Sequence, residues 1–259
     1  MSGEQPSWRD DLKRVVSLRV AEKSVSSTCT LNLLQSAVEG FDCPTDDHGV
    51  SWHADIWRSG FASYPTGREQ LDVLAASPPQ PPGTNPGWRK ITRGDVFTVD
   101  EPLLLFLAAM AWGFGATGYG WRRTVDILVA AGADAVVKAM RILQRSYGDG
   151  GPGAAWTAFS AGGAAKVGGL GTAFASKIAY FACYDRQRGV GPLIADRNTA
   201  WAFWALADVW DSRGSATLYA HYVATAAEWA ATLDSRPDDV ERALFVIGPH
   251  VRTIYNQLS

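Results

Sequence analysis

Lys177 and Asp196, in that order behind the turn Gly169-Leu170-Gly171, are the side chains best suited to covalent chemistry in this chain. A neutral amine can attack an electron-poor carbon, and a fixed carboxylate can steady the positive charge that develops there as a bond breaks. Around Lys177 stand Phe174, Ile178, Tyr180 and Phe181, apolar neighbours that strip an amine of water and favour its neutral form. The same surroundings suit a lysine that snorkels past an apolar stripe. Asp196 follows the run Leu193-Ile194-Ala195 and precedes a helical pattern, so it is expected to cap that helix. Capping would also fix the carboxylate in its ionised form.

These groups need elements to position them. AAWTAFSAGGAAKV reads as a helix ending near Val167, and TAFASKIAYFAC starts the next helix at Thr172. Between them, Gly168 and Gly169 permit positive φ, and Gly171 permits close approach of another backbone. Open N–H groups at the second helix favour an anion such as a phosphate, making Gly169, Gly171 and Thr172 its candidate contacts. A plain connection between helices would use the same residues.

A second glycine-rich segment runs from Trp112 to Thr124. Gly113 to Gly118 formally fits GxGxxG, but a helix rather than a strand precedes it, which excludes a dinucleotide fingerprint. As a loop it offers Trp112, Phe114, Tyr119 and Trp121 for stacking on a base, and Arg122 and Arg123 for phosphate. Close helix packing around a turn accounts for it equally well.

With 259 residues, 47% of them hydrophobic, the chain can bury a substantial core. From Pro102 onward apolar residues recur every three or four positions, giving helices at 102–112, 121–132, 134–147, 154–167, 172–184, 197–211, 214–234 and 237–257. Asp100 is the expected cap of the first, ahead of Glu101 and Pro102. Residues 8–24 suggest a helix, while 40–90 read as irregular, ending in the proline-rich SPPQPPGTNPG. The expectation is therefore a mainly α chain. A less regular N-terminal region, 1–90, would pack on a helical core, 91–259, whose paired helices and hairpin span about 156–184.

Composition narrows the function. A net charge of −2 gives no global pull toward nucleic acid, so any such contact must be a local patch. Eleven tryptophans serve a core or a stacking surface. Cys29, Cys43 and Cys183, with His48, His53, His221 and His250, show no zinc or iron–sulfur spacing. No metal ligand set or cofactor is expected, and the cysteines suit a reducing cytoplasm. The uncharged stretch Leu103–Trp121 is interrupted by four glycines after Trp112, which argues against a membrane span.

The order of hairpin, lysine and aspartate resembles the helix-hairpin-helix DNA glycosylase superfamily, and within it the 8-oxoguanine DNA glycosylase branch. TAFASKIAYFA is similar to archaeal members, and PLIADRNTAW to their aspartate-bearing segment. AMAWGFGATGYG and GLGTAFASKIAYFA are similar to bacterial proteins with that fold. The likeness covers roughly residues 108–205 and none of residues 1–90. It implies a two-subdomain enzyme, monomeric, that flips a modified base out of double-stranded DNA and excises it. Lys177 would form a Schiff base, with an accompanying lyase step, and Asp196 would support the developing charge. The hairpin would hold a backbone phosphate, with a monovalent ion at the carbonyls of Gly168 and Leu170.

Many family members carry the lysine where this chain has Ala173, and Lys177 lies one helical turn later. If Lys177 points elsewhere, Asp196 can still activate water. The modified base is 8-oxoguanine by family default, or a hypermodified base of viral DNA. A hairpin protein that binds DNA without chemistry, and a helical interaction protein in which the hairpin merely joins helices, complete the alternatives.

Overall fold

The computed structural model describes residues 8–76, 86–160, 162–209, 211 and 213–259. Its elements, in chain order, are α1 (Trp8–Val20), α2 (Ser27–Glu39), β1 (Gly49–His53), α3 (Ala54–Gly60), α4 (Pro65–Ala76), β2 (Trp88–Thr92) and α5 (Arg93–Phe97). There follow α6 (Pro102–Phe114), α7 (Gly120–Ala131), α8 (Ala133–Phe159), α9 (Thr172–Cys183), α10 (Arg197–Ala207), α11 (Ala216–Thr232) and α12 (Pro237–Leu258). The protein is mainly α, as its periodicity predicts. No helix among the described residues is long and apolar enough to cross a membrane.

The chain forms two compact units, one of Met1–Asp42 with Asp185–Ser259 and the other of Cys43–Tyr184. These boundaries do not follow the division at residue 90. Nor is the segment from 40 to 90 irregular where it is described. His53 caps α3 there, and β1 pairs antiparallel with β2 from Gly49↔Thr92 to His53↔Trp88. Strands this short carry little periodicity, and their partners lie far apart in sequence. Most of the proline-rich segment, residues 77–85, lies outside the described residues.

In the unit Cys43–Tyr184, α6 is apolar on nearly every side and almost wholly buried, as a central helix should be. Its cap is Glu101 rather than the expected Asp100. The Glu101 carboxylate accepts from the backbone N–H groups of Leu103 (3.0 Å) and Leu104 (2.6 Å), and Pro102 occupies the first turn. The helices expected at 134–147 and 154–167 merge into α8, which ends at Phe159 and is kinked where Gly150 and Gly151 leave helical geometry ahead of Pro152.

In the other unit, α12 packs along α10. Gly248 of α12 makes this approach possible, because a Cβ there would collide with the backbone carbonyl of Asn198.

Candidate active site

Lys177 lies in the second turn of α9, within the unit Cys43–Tyr184, and is only 8% exposed. Its Nζ stands 5.6 Å from the centroid of the Phe174 ring. The stem runs across Gly113 of α6, where a Cβ would sit 3.0 Å from Lys177 Cδ and 2.6 Å from Phe174 Cε1. Next to it, Phe174 stacks on Phe114 with centroids 4.2 Å apart. Gly113 therefore leaves the gap through which the lysine threads, and Phe114 and Phe174 wall it. The signal for Gly113 was present in the sequence, because glycine inside an otherwise apolar helix sacrifices about 1 kcal/mol relative to alanine.

The hairpin differs from expectation. The first helix stops at Phe159, not near Val167. Ser160 turns extended, Ala165 N–H donates to Ala158 C=O, and Gly163 packs so tightly on that carbonyl that no Cβ fits. The chain thus folds back on the helix end instead of continuing it. Gly169 adopts φ +80°, as a tight turn requires. Gly171 caps α9 without a side chain, so the N–H groups of Thr172 and Ala173 receive no capping side chain, while Phe174 N–H and Ala175 N–H donate to Gly171 C=O.

Arg123 joins this hairpin directly. Its Nη2 donates to Gly169 C=O at 2.7 Å, tying α7 to the turn. The Gly169 carbonyl, between the Gly168 and Leu170 carbonyls expected to hold a monovalent ion, thus already has a guanidinium partner. Arg122, Arg123 and Lys166 are each exposed in this unit.

The four aromatic candidates separate. Trp112 is buried: its Nε1–H donates to His48 C=O (3.3 Å), its edge meets Phe181 at 5.4 Å, and the Arg93 guanidinium lies 5.1 Å from its centroid. Phe114 is buried against Phe174. Both rings serve packing here. Tyr119 is 63% exposed with its ring against Phe114, and Trp121 borders a surface groove with Asp55, Ile56, Ser59 and Gly60.

Asp196 belongs to the other unit and caps α10. Its Oδ1 accepts from Asn198 N–H at 2.8 Å and Thr199 N–H at 3.1 Å, and its own N–H donates to Thr199 Oγ1 at 2.9 Å. This reciprocal capping box fixes the half-buried carboxylate. Two tyrosines of α11 hold the segment that leads to it. Tyr219 Oη–H donates to Leu193 C=O (2.6 Å) and accepts from Leu193 N–H (3.1 Å). Tyr222 Oη–H donates to Ile194 C=O (2.8 Å). Both tyrosines are fully buried, and nothing in the local sequence pattern marks them as supports for a distant aspartate.

Among the described residues no group of three or more His, Cys, Asp or Glu side chains could hold a metal ion. Burial pushes the Cys183 thiol up to about 12, which leaves it without thiolate character at neutral pH.

A family model described as "Putative 8-oxoguanine DNA glycosylase OGG-like protein" matches residues 44–245, a span that includes both Lys177 and Asp196. No curated protein and no solved structure matches the chain.

Proposed function

Because the chain belongs to the OGG-like 8-oxoguanine DNA glycosylase family, we propose that it excises 8-oxoguanine from double-stranded DNA, with Lys177 as nucleophile and Asp196 as the supporting carboxylate. The observation that carries this reading is the seat of Lys177. A lysine 8% exposed, threaded past a glycine and walled by Phe114 and Phe174, is built into the unit and not left to solvent.

In the proposed reaction Nζ bonds to C1′ of the damaged nucleotide as the C1′–N9 bond breaks, and the electron pair leaves with the base. The proton shed by Nζ passes to the departing base. Opening of the sugar, with O4′ taking a proton, then leaves a protonated imine on Nζ, from which strand cleavage proceeds. The Asp196 carboxylate, fixed by its capping box, stabilises positive charge at C1′ and relays protons. The turn at Gly169 and Gly171, the N–H of Thr172, and the guanidinium groups of Arg122 and Arg123 hold backbone phosphates. Tyr119, the most exposed aromatic of the glycine-rich segment, stacks on a base.

Base release from an 8-oxoguanine duplex, measured beside release from hypermodified phage DNA, tests the substrate. Release from the first at a rate well above the second supports the proposal. Preference for phage DNA would replace 8-oxoguanine with a hypermodified base.

A further inference from the structure

The segment 192–196 that delivers Asp196 is neither helix nor strand, yet Leu193, Ile194 and Ala195 are at most 1% exposed. Irregular backbone buried to this degree has no ladder to satisfy its N–H and C=O groups and must find other partners. Two side chains of α11 supply them. From the way they do so we infer that Tyr219 and Tyr222 are positioning residues, which act through Leu193 and Ile194 to set where the Asp196 carboxylate stands. The catalytic consequence rests on the proposed role of Asp196; the seating of the segment does not.

Tyr219 and Tyr222 stand three residues apart on α11 and so share a face. Each turns its hydroxyl to the segment. At Leu193 a single oxygen, Tyr219 Oη, donates to the C=O at 2.6 Å and accepts from the N–H at 3.1 Å, so one side chain takes the place of a neighbouring strand. Tyr222 Oη–H donates to Ile194 C=O at 2.8 Å. The Tyr222 ring meets Phe203 of α10 edge-on at 5.2 Å, so this residue touches the chain on both sides of Asp196. Both rings are fully buried, which leaves neither hydroxyl room to swing away.

Helix α12 completes the seat from the other direction. Gly248 lies against the backbone of Asn198, too close for any Cβ. Asn198 N–H is in turn one of the two groups that donate to Asp196 Oδ1. The backbone is therefore held at residues 193 and 194 before the aspartate and at residue 198 after it. A helix cap needs none of this. The capping box orients the carboxylate relative to α10, whereas the tyrosines and Gly248 fix the start of α10 within its unit. A charge-stabilising group requires such placement, since a displacement of about 1 Å can lower a rate about 10²-fold.

The test compares Tyr219→Phe and Tyr222→Phe with Thr30→Val, in the full chain. Thr30 is buried and its Oγ1–H donates to Leu206 C=O at 3.4 Å, so this control removes a hydroxyl-to-carbonyl bond at the far end of the same helix. Amide hydrogen exchange, read without DNA, should quicken at Asn198 and Thr199 in both tyrosine variants and not in Thr30→Val. Single-turnover base release from an 8-oxoguanine duplex should fall roughly tenfold in the tyrosine variants, with duplex affinity unchanged and Thr30→Val as fast as wild type. In an Asp196→Asn background the same tyrosine changes should lower release no further, because the charge they position is gone. Unchanged exchange at Asn198 and Thr199, or a fall in release that persists in the Asp196→Asn background, would overturn the inference. So would quickened exchange with base release intact. Tyr222→Phe loses one hydrogen bond and Tyr219→Phe two, so Tyr222→Phe decides the outcome if the other does not fold. Wild type that releases no base while exchange responds rejects the glycosylase reading and leaves the seating of Asp196 standing. Wild-type release with both tyrosine variants silent rejects this inference alone.

Discussion

At Lys177 the account depends on space. Gly113→Ala would set a methyl 2.6 Å from Phe174 Cε1 and 3.0 Å from Lys177 Cδ. Overpacking of this kind costs about 1–3 kcal/mol. The expected outcome is a lower denaturation midpoint and a disproportionate fall in base release, because the displaced group is the proposed nucleophile. Asp196 allows a cleaner separation of charge from structure. Asparagine caps helices about as well as aspartate, so Asp196→Asn should leave stability nearly unchanged while single-turnover base release falls about 10²- to 10³-fold. Asp196→Ala should add a loss of roughly 1 kcal/mol in stability from the missing cap. Lys177 and Asp196 were legible as candidates in the sequence, since residue type and order carried them. Gly113, Tyr219 and Tyr222 were not read, because their roles are contacts with elements distant in sequence.

Among the elements, the hairpin is where structure departs most from pattern. Its glycines were visible, but the fold-back after Phe159 depends on a backbone bond from Ala165 to Ala158 that periodicity does not record. The existence of the helices from α6 onward was legible, because they are amphipathic or wholly apolar and are punctuated by Gly, Pro and Asp, but 134–147 and 154–167 merged into α8, which stops at Phe159, and α10 ends at Ala207 and not at 211. Arg123 is bonded to Gly169 and is also a proposed phosphate contact. Arg123→Ala should therefore weaken DNA binding more than Arg122→Ala, as read by anisotropy across salt. A pH effect belongs to α12 and α1. Burial, then the charge of Arg9, lowers the pKa of His250, which packs edge-on against Trp8 at 5.3 Å. A histidine depressed in the folded state stabilises the fold above its unfolded value of 6.5, and that contribution is lost as acidification carries the pH through the lower folded value. His250→Gln should flatten the decline in melting temperature between neutral pH and about pH 5.

For the molecule as a whole, the two residues of the proposed chemistry fall in different units, Lys177 in Cys43–Tyr184 and Asp196 in the unit of Met1–Asp42 with Asp185–Ser259. The family match from 44 to 245 spans most of the first and part of the second. With a net charge of −2, the proposed DNA binding falls to local groups such as Arg122, Arg123 and the N-terminus of α9. The sequence indicated this locality, although an acidic balance alone argued against nucleic acid. The central claim is that Lys177 forms a covalent bond with damaged DNA. Borohydride trapping on an 8-oxoguanine duplex tests it most directly. The account predicts a stable protein–DNA adduct with wild type, mapped to Lys177 and absent in Lys177→Ala. An adduct undiminished in Lys177→Ala, or base release by wild type with no adduct at all, would contradict it.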